Sequence, residues 1–376
     1  MNMKVVRRVL VTLAFVLLTR LIITAASTYY DLLFLFYPSF CRELLGYLAE
    51  KAAGFDYMVW QKLLFWAAIA AVVFLLARLV LRKNILVWLF SITAIASFVV
   101  CVSTLILGAN QYGPSIAEPL RLETANYSVA ELQEAAEYYR DQANLYANLT
   151  ARDRNNLCIM PSFEELANQV NNGFHTMTRT CYVFGGSTVA PKPLEWPKVL
   201  KRFHITSLMV SLTGEAGVNP DILPAALPFT MDRTVAQRMS IAREDDASFA
   251  SILACLASES TEYQYSGYFI AYQYCYNALL EQNPAVAKSV NEGANAAVRA
   301  DLLANQPIDK DADDSDLQYL PVPAISADSS AKNNIYDLLV AWYVHLTTPD
   351  EEDTDTQYVR TPTTAGSTSN RGKTSP

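Results

Sequence analysis

Hydrolytic chemistry in this chain would have to start from few side chains. Carboxylates gather at Glu244, Asp245 and Asp246, and Glu215 stands in a separate Thr-Gly-Glu sequence. Paired acids can divide acid and base roles, so Glu244, Asp245 or Glu215 with a recruited metal would make a hydrolase of unusual constellation. The histidines, His175, His204 and His345, are far apart and read as structural or surface residues. Of the six cysteines, Cys101 falls in an apolar stretch, and Cys255 and Cys275 read as buried thiols in apolar helices. Cys158 and Cys181 bracket a short helix and either pair or stay free. Six are too few to staple a domain of this size, and no Cys/His grouping has zinc-site spacing. Neither a metal nor a cofactor is expected. Tyr263, Tyr265, Tyr268, Tyr272, Tyr274 and Tyr276 offer aromatic surface to a ligand. Tyr268, Tyr272 and Tyr276 repeat at i, i+4, i+8, which favours a core-facing stripe with hydroxyls at its rim.

The elements that hold these residues divide in two. Three apolar stretches, Val9 to Ala26, about Leu63 to Leu81, and Ile85 to Leu107, are each near the roughly 20 residues a helix needs to cross a bilayer. Lys4, Arg7 and Arg8 precede the first, and Arg78, Arg82 and Lys83 crowd the turn between the others. The intervening loop, 27–61, has only Arg42 and Lys51, offset by four acids. Both basic clusters are therefore expected in the cytoplasm, and everything after Leu107 outside it. Arg20 would snorkel or face a neighbouring helix; one such residue in three spans makes a transporter unattractive. Residues 1–108 carry ten Lys/Arg against four Asp/Glu, and the remainder nineteen against thirty-three. So acidic a second part argues against nucleic acid and against docking on anionic headgroups.

The second part reads as mostly helical. Gly108 to Thr124 is expected to be an extended connector. Ser128-Val129-Ala130-Glu131 and Ser162-Phe163-Glu164-Glu165 are capping boxes, opening helices to about Asn148 and to Asn172-Gly173. Cys181 to Pro197 reads as loop, His204 to Leu212 as a short strand, and Thr213 to Pro228 as loop again. Helices are expected over about 229–239, 244–258, 265–281, 284–304 and 333–346, with an Asp/Pro-rich linker at 305–331. From Thr348 an acidic run passes into Thr/Ser/Gly sequence that cannot bury a core.

Several ordered blocks resemble a family of bacterial multi-span membrane proteins named domain of unknown function 3810, whose members look like zinc metallopeptidases of the zincin type. They are Asn110-Gln111-Tyr112-Gly113-Pro114, Thr213-Gly214-Glu215-Ala216-Gly217-Val218-Asn219, Pro228-Phe229-Thr230, Ala242-Arg243-Glu244-Asp245-Asp246-Ala247-Ser248-Phe249, and Tyr265-Ser266-Gly267-Tyr268 with Asn277-Ala278-Leu279. The resemblance runs to about Ala341, although the family's Tyr-Leu-Lys-x-Asn-Gly-like segment near the C-terminal end is missing. After Pro-Phe-Thr the family carries His-Glu-x-x-His, in which the histidines hold Zn²⁺ and the Glu takes a proton from the metal-bound water. Here the three positions are Arg233, Thr234 and Gln237. Arginine stays protonated and cannot ligate a cation, threonine is no general base, and glutamine is a feeble zinc ligand. By the resemblance, Asp246 matches the third ligand. An uncompensated buried acid is costly, so Arg233 is expected either to pair with Asp246, Glu244 or Asp245, or to be a solvated helix residue beside Asp232. The same resemblance puts Glu215 and Asn219 beside the cleft, where Glu215 either anchors an extended peptide or caps a neighbouring backbone.

The expectation is a mainly α protein: a membrane domain (1–108), a zincin-like exterior domain (109–347) and a tail (348–376). Its function is expected to be that of a catalytically inactive metallopeptidase homologue. It would sit in the cytoplasmic membrane, partnered by the lipid bilayer and by a peptide or an envelope protein. A hydrolase of non-standard site and a purely structural membrane-complex component are the alternatives.

Overall fold

The structure is a computed structural model that describes residues 3–33, 36–124, 127–305 and 329–348; the expected tail and most of the linker lie outside these. The fold is mainly helical, and three N-terminal helices are long and apolar enough to cross a membrane: α1 (Met3–Leu33), α3 (Val59–Val80) and α4 (Leu86–Ile106). Between α1 and α3 lies α2 (Tyr37–Ala52). The spans are held by van der Waals contacts and a few hydrogen bonds. Phe15 packs edge-on against Phe98 at 5.3 Å, Arg8 Nε donates to Ser91 Oγ at 2.6 Å, and Trp88 Nε1 donates to the Ala71 carbonyl at 2.7 Å. With Tyr30 donating to Asn110 Oδ1, these pairs run in step, so α1 and α4 are parallel. Lys4, Arg7 and Arg8 thus share an end with Arg82 and Lys83. Arg20, exposed on α1, comes level with about Ser103, near the opposite end of α4, where a snorkelling guanidinium has little distance to cover.

The C-terminal unit is built on α10 (Thr261–Gln282), which packs against α5 (Val129–Ala147), α8 (Leu227–Arg238), α9 (Glu244–Ala257), α11 (Pro284–Glu292) and α13 (Ser329–Thr347). The remaining helices are α6 (Phe163–Thr180), α7 (Pro197–Arg202) and α12 (Ala296–Asn305). Tyr263, Tyr265, Tyr268, Tyr272, Tyr274 and Tyr276 are all at least 95% buried, as a core stripe requires. Both capping boxes form in full, opening α5 and α6. A three-stranded sheet has the order β1-β3-β2, with β1 (Lys192–Pro193) parallel to β3 (Glu215–Val218) and β2 (Ser207–Val210) antiparallel to it.

Several expectations need correction. Helix α6 runs past Gly173 to Thr180 because this glycine is a packing residue: a Cβ there would meet the Ala254 carbonyl oxygen at 1.9 Å. The stretch at 284–304 is two helices, since Asn295 accepts from the Val298 amide at 2.8 Å and restarts the helix as α12. The connector after α4 opens with a 3-10 turn, Gly108–Tyr112. Within the loop expected at 213–228 lies β3. The loop at 27–61 contains α2, whose Leu45, Gly46 and Ala49 are buried. Gly214 (φ +66°) lets α2 press onto the sheet, for a Cβ there would lie 2.2 Å from the Leu45 carbonyl. Arg42 fastens the same helix to the Tyr182 carbonyl at 3.1 Å. All six cysteines are free and buried, Cys158 and Cys181 included.

Candidate functional site

Helices α8 and α9 meet at a tight turn, and the first residue of α9 reaches back across α8. Glu244 Oε2 accepts from Arg233 Nη1 at 3.0 Å, while its Oε1 accepts from Gln237 Nε2 at 2.9 Å. Arg233 and Gln237 are one helical turn apart on one face of α8, so a single carboxylate spans both. Arg233 Nη2 also donates to Ser207 Oγ on β2 at 3.2 Å. The Arg233 side chain is 6% exposed and that of Glu244 31%. The guanidinium is thus the buried member of the pair, and the carboxylate keeps partial access to water.

Asp246 lies elsewhere in the network. Its Oδ1 accepts from Ser115 Oγ at 2.8 Å and its Oδ2 lies 3.4 Å from Arg243 Nε. Burial, with the Asp245 charge adding to it, raises the Asp246 pKa to about 6. Asp245 is bound by Arg243 Nη2 at 2.9 Å. Thr234 donates back to the Thr230 carbonyl at 2.7 Å and is fully buried. Of the three acids named beside Arg233 from the sequence, Glu244 is the one that joins it to Gln237.

A cleft of about 520 Å³ opens beside this cluster. Arg233, Gln237 and Glu244 line one side, β2 and the residues after it a second, and Trp60, Ser103, Thr104 and Leu107 from the ends of α3 and α4 a third. Strand β2 pairs with β3 on one edge only among the described strands. Tyr274 on α10 lies close behind: burial raises its pKa to about 12, against the nearby Arg233 charge. A hydrogen bond to Ser248 also acts against that rise, and both hydroxyls are buried. From the sequence Tyr274 is one of six tyrosines offered to a ligand and lies outside the i, i+4, i+8 stripe, and the span ends carry no sequence signal because apolar length does not reveal which residues border a distant strand. Among the described residues, no group of three or more His, Cys, Asp and Glu side chains could hold a metal ion.

The other two cleft candidates are consumed by structure. Glu215 accepts from the backbone amides of Val59 at 2.8 Å and Trp60 at 3.0 Å, from Lys192 Nζ at 3.0 Å, and from Thr213 Oγ1 at 2.9 Å. It is 2% exposed and satisfies two free donors at the N-terminus of α3. Asn219, fully buried, donates to the Pro197 and Ile205 carbonyls at 3.1 and 3.2 Å and accepts from the Asp221 amide at 2.9 Å. A peptide has no free edge of either side chain to grip.

The model of the family described as "Protein of unknown function (DUF3810)" matches residues 29–319, and the chain belongs to that family. No curated protein and no solved structure matches the chain.

Proposed function

We propose that this DUF3810 member is a membrane-anchored, zincin-like pseudoenzyme, displayed outside the cytoplasm, whose cleft binds an extended segment of a peptide or envelope protein. The observation that carries the reading is the Glu244 bridge. One carboxylate grips the residues at both positions where a His-Glu-x-x-His helix would present its histidines. A guanidinium in the place of a metal–ligand bond keeps the carboxylate compensated while providing neither a Lewis acid nor an activated water. With Thr234 donating its hydroxyl back into the helix, the position of the general base is occupied by an inert group. Strand β2 supports the binding half of the reading, because an extended segment can add to an open strand edge through main-chain hydrogen bonds.

The resemblance matched Asp246 to the third ligand; the contacts favour Glu244 for that part, with Asp246 as its neighbour. The test is zinc content of the purified full chain, beside a chain carrying Arg233→His, Thr234→Glu and Gln237→His. The natural chain is expected to hold no stoichiometric zinc and the triple variant about one per chain. One zinc per natural chain would instead favour a hydrolase of non-standard site. The saturated Glu215 junction gives some support to a second reading, a structural component of a membrane complex, which predicts indifference of function to substitutions at Arg233.

A further inference from the structure

We infer that the segment Trp196–Leu208 of the C-terminal unit inserts its apolar face into the bilayer interface beside α3, as an aromatic anchor among phospholipid headgroups. Val199 on α7, Trp196 just before it and Phe203 just after it are 54%, 54% and 69% exposed. Ile205 and Leu208 extend the patch at 38% and 41%. The opposite side of α7 is anchored: Leu200 packs with Met58, Leu194 and Val210. The outward residues are therefore turned out by a fixed helix.

The position of the patch relative to the span identifies what covers it. The Trp196 ring lies 6.3 Å from that of Phe65, which is itself 44% exposed on α3. Glu195 is tied to the same helix, through Gln61 Oε1 accepting from its amide at 2.9 Å and through Lys62 Nζ at 2.5 Å. Helix α3 has 22 residues, roughly 33 Å at 1.5 Å per residue, against a hydrocarbon layer of about 30 Å. Phe65 lies about 9 Å along the helix from Val59, at or inside the hydrocarbon boundary. Trp196 beside it occupies the depth at which amphipathic aromatic rings collect.

Charge points the same way. Residues 195–205 hold Lys198, Lys201 and Arg202 against the single acid Glu195, inside a unit that is otherwise strongly acidic. The unit-wide acidity that argued against anionic headgroups does not describe this segment. Both ends of α7 adopt left-handed backbone at bulky residues, Trp196 (φ +59°) and His204 (φ +57°). Asn219 holds that geometry by bonding the Pro197 and Ile205 carbonyls together. This inference needs only that α3 crosses a membrane, and it stands apart from the fate of the cleft.

The full chain is reconstituted in phosphatidylcholine nanodiscs whose lipids are brominated either near the headgroup end or near the acyl terminus. The Trp196 emission is taken as wild type minus Trp196→Phe. Headgroup-end bromines are expected to quench that component at least twofold more than terminal ones, and Phe203→Asp to reduce the difference by half or more. Trp66 and Trp88 report insertion of the spans in the same samples. If Trp196→Phe does not fold, emission added by Phe203→Trp is read in its place, with the same expectation. A third of the lipid as phosphatidylglycerol should increase the quenching, and Lys198→Gln with Lys201→Gln should remove that increase. Quenching of Trp66 and Trp88 with none at residue 196 or 203 would overturn the inference, and would leave the patch to a protein partner.

Discussion

Two glutamates, both within the residues that the family model matches, are put to opposite uses. Glu215 lies at the junction between the sheet and α3, with four donors on its two oxygens and almost no exposure. Glu244 lies at the cleft, holds two side chains, and keeps nearly a third of its side chain in contact with solvent. The first is a closed account of charge and hydrogen bonds in which a ligand could only compete with the fold. The second sits on an open wall of the cleft, where water reaches it. Saturation of polar groups, more than the presence of an acid, separates the scaffold from the candidate site.

The largest expected effect tests the closed side. Glu215→Ala takes the charge partner from the Lys192 ammonium, leaving it the Ala52 and Tyr57 carbonyls, and strands the Val59 and Trp60 amides; it should cost about 3–5 kcal/mol, read as a fall in the thermal unfolding midpoint of the full chain in nanodiscs. A loss below about 1 kcal/mol would mean that the junction is not the rigid joint described. Next comes the asymmetry of the cleft pair. Glu244→Ala leaves a buried guanidinium and should cost about 3 kcal/mol. Arg233→Met leaves a carboxylate that can turn to water, and should cost about 1 kcal/mol. Equal losses would show that burial does not differ across the pair.

A third expectation concerns pH. The folded Asp246 carboxyl titrates near 6, above its ordinary value of 3.8. Below about pH 3 both folded and unfolded chains hold the proton. As pH rises toward about 6.5 the unfolded chain releases it first, so stability falls by roughly 2–3 kcal/mol. Asp246→Asn should flatten that part of the stability–pH curve; an unchanged curve would place the raised pKa elsewhere. The smallest effect is at Asp232, fully buried with only Cys255 Sγ as donor, at 3.3 Å. Burial pushes its carboxyl well up, which favours the neutral form that asparagine mimics, and Asp232→Asn should change stability by less than about 1 kcal/mol. A loss of several kcal/mol would mean that it is ionised there.

Local chemistry was legible in the sequence where one element decides it. The capping boxes at Ser128 and Ser162, the three apolar spans and the tyrosine stripe of α10 depend on spacing alone, and each is found where spacing puts it. Residues whose meaning depends on a distant partner were misread. Gly173 looks like a helix stop until Ala254 is placed against it, and the Thr213–Asn219 loop hides β3 until Lys192 and Ser207 arrive on either side. Helix α2 has Cys41, Leu45, Ala49 and Ala52 at helical spacing on its buried face, but the segment is short of a span and reads as the loop between two of them until Gly214 and Arg42 show what that face packs on. At the cleft, Arg233 was found through the pattern it interrupts, whereas the identity of its acid required the α8–α9 turn. The resemblance matches Asp246 to the third ligand, whereas the contacts join Glu244 to Arg233 and Gln237; zinc binding by the restored chain separates the two.

The central claim is that Arg233, Gln237 and Glu244 occupy a former metal site, and it is tested most directly by the acid dependence of restored zinc binding. Because α2 and the Val59 and Trp60 amides hold the unit together, the full chain is used, carrying Arg233→His, Thr234→Glu and Gln237→His. Zinc affinity is measured with Glu244→Ala added and, separately, with Asp246→Ala added. The contacts predict that Glu244→Ala abolishes stoichiometric zinc while Asp246→Ala leaves about one per chain. Zinc lost with Asp246→Ala and kept with Glu244→Ala would contradict them.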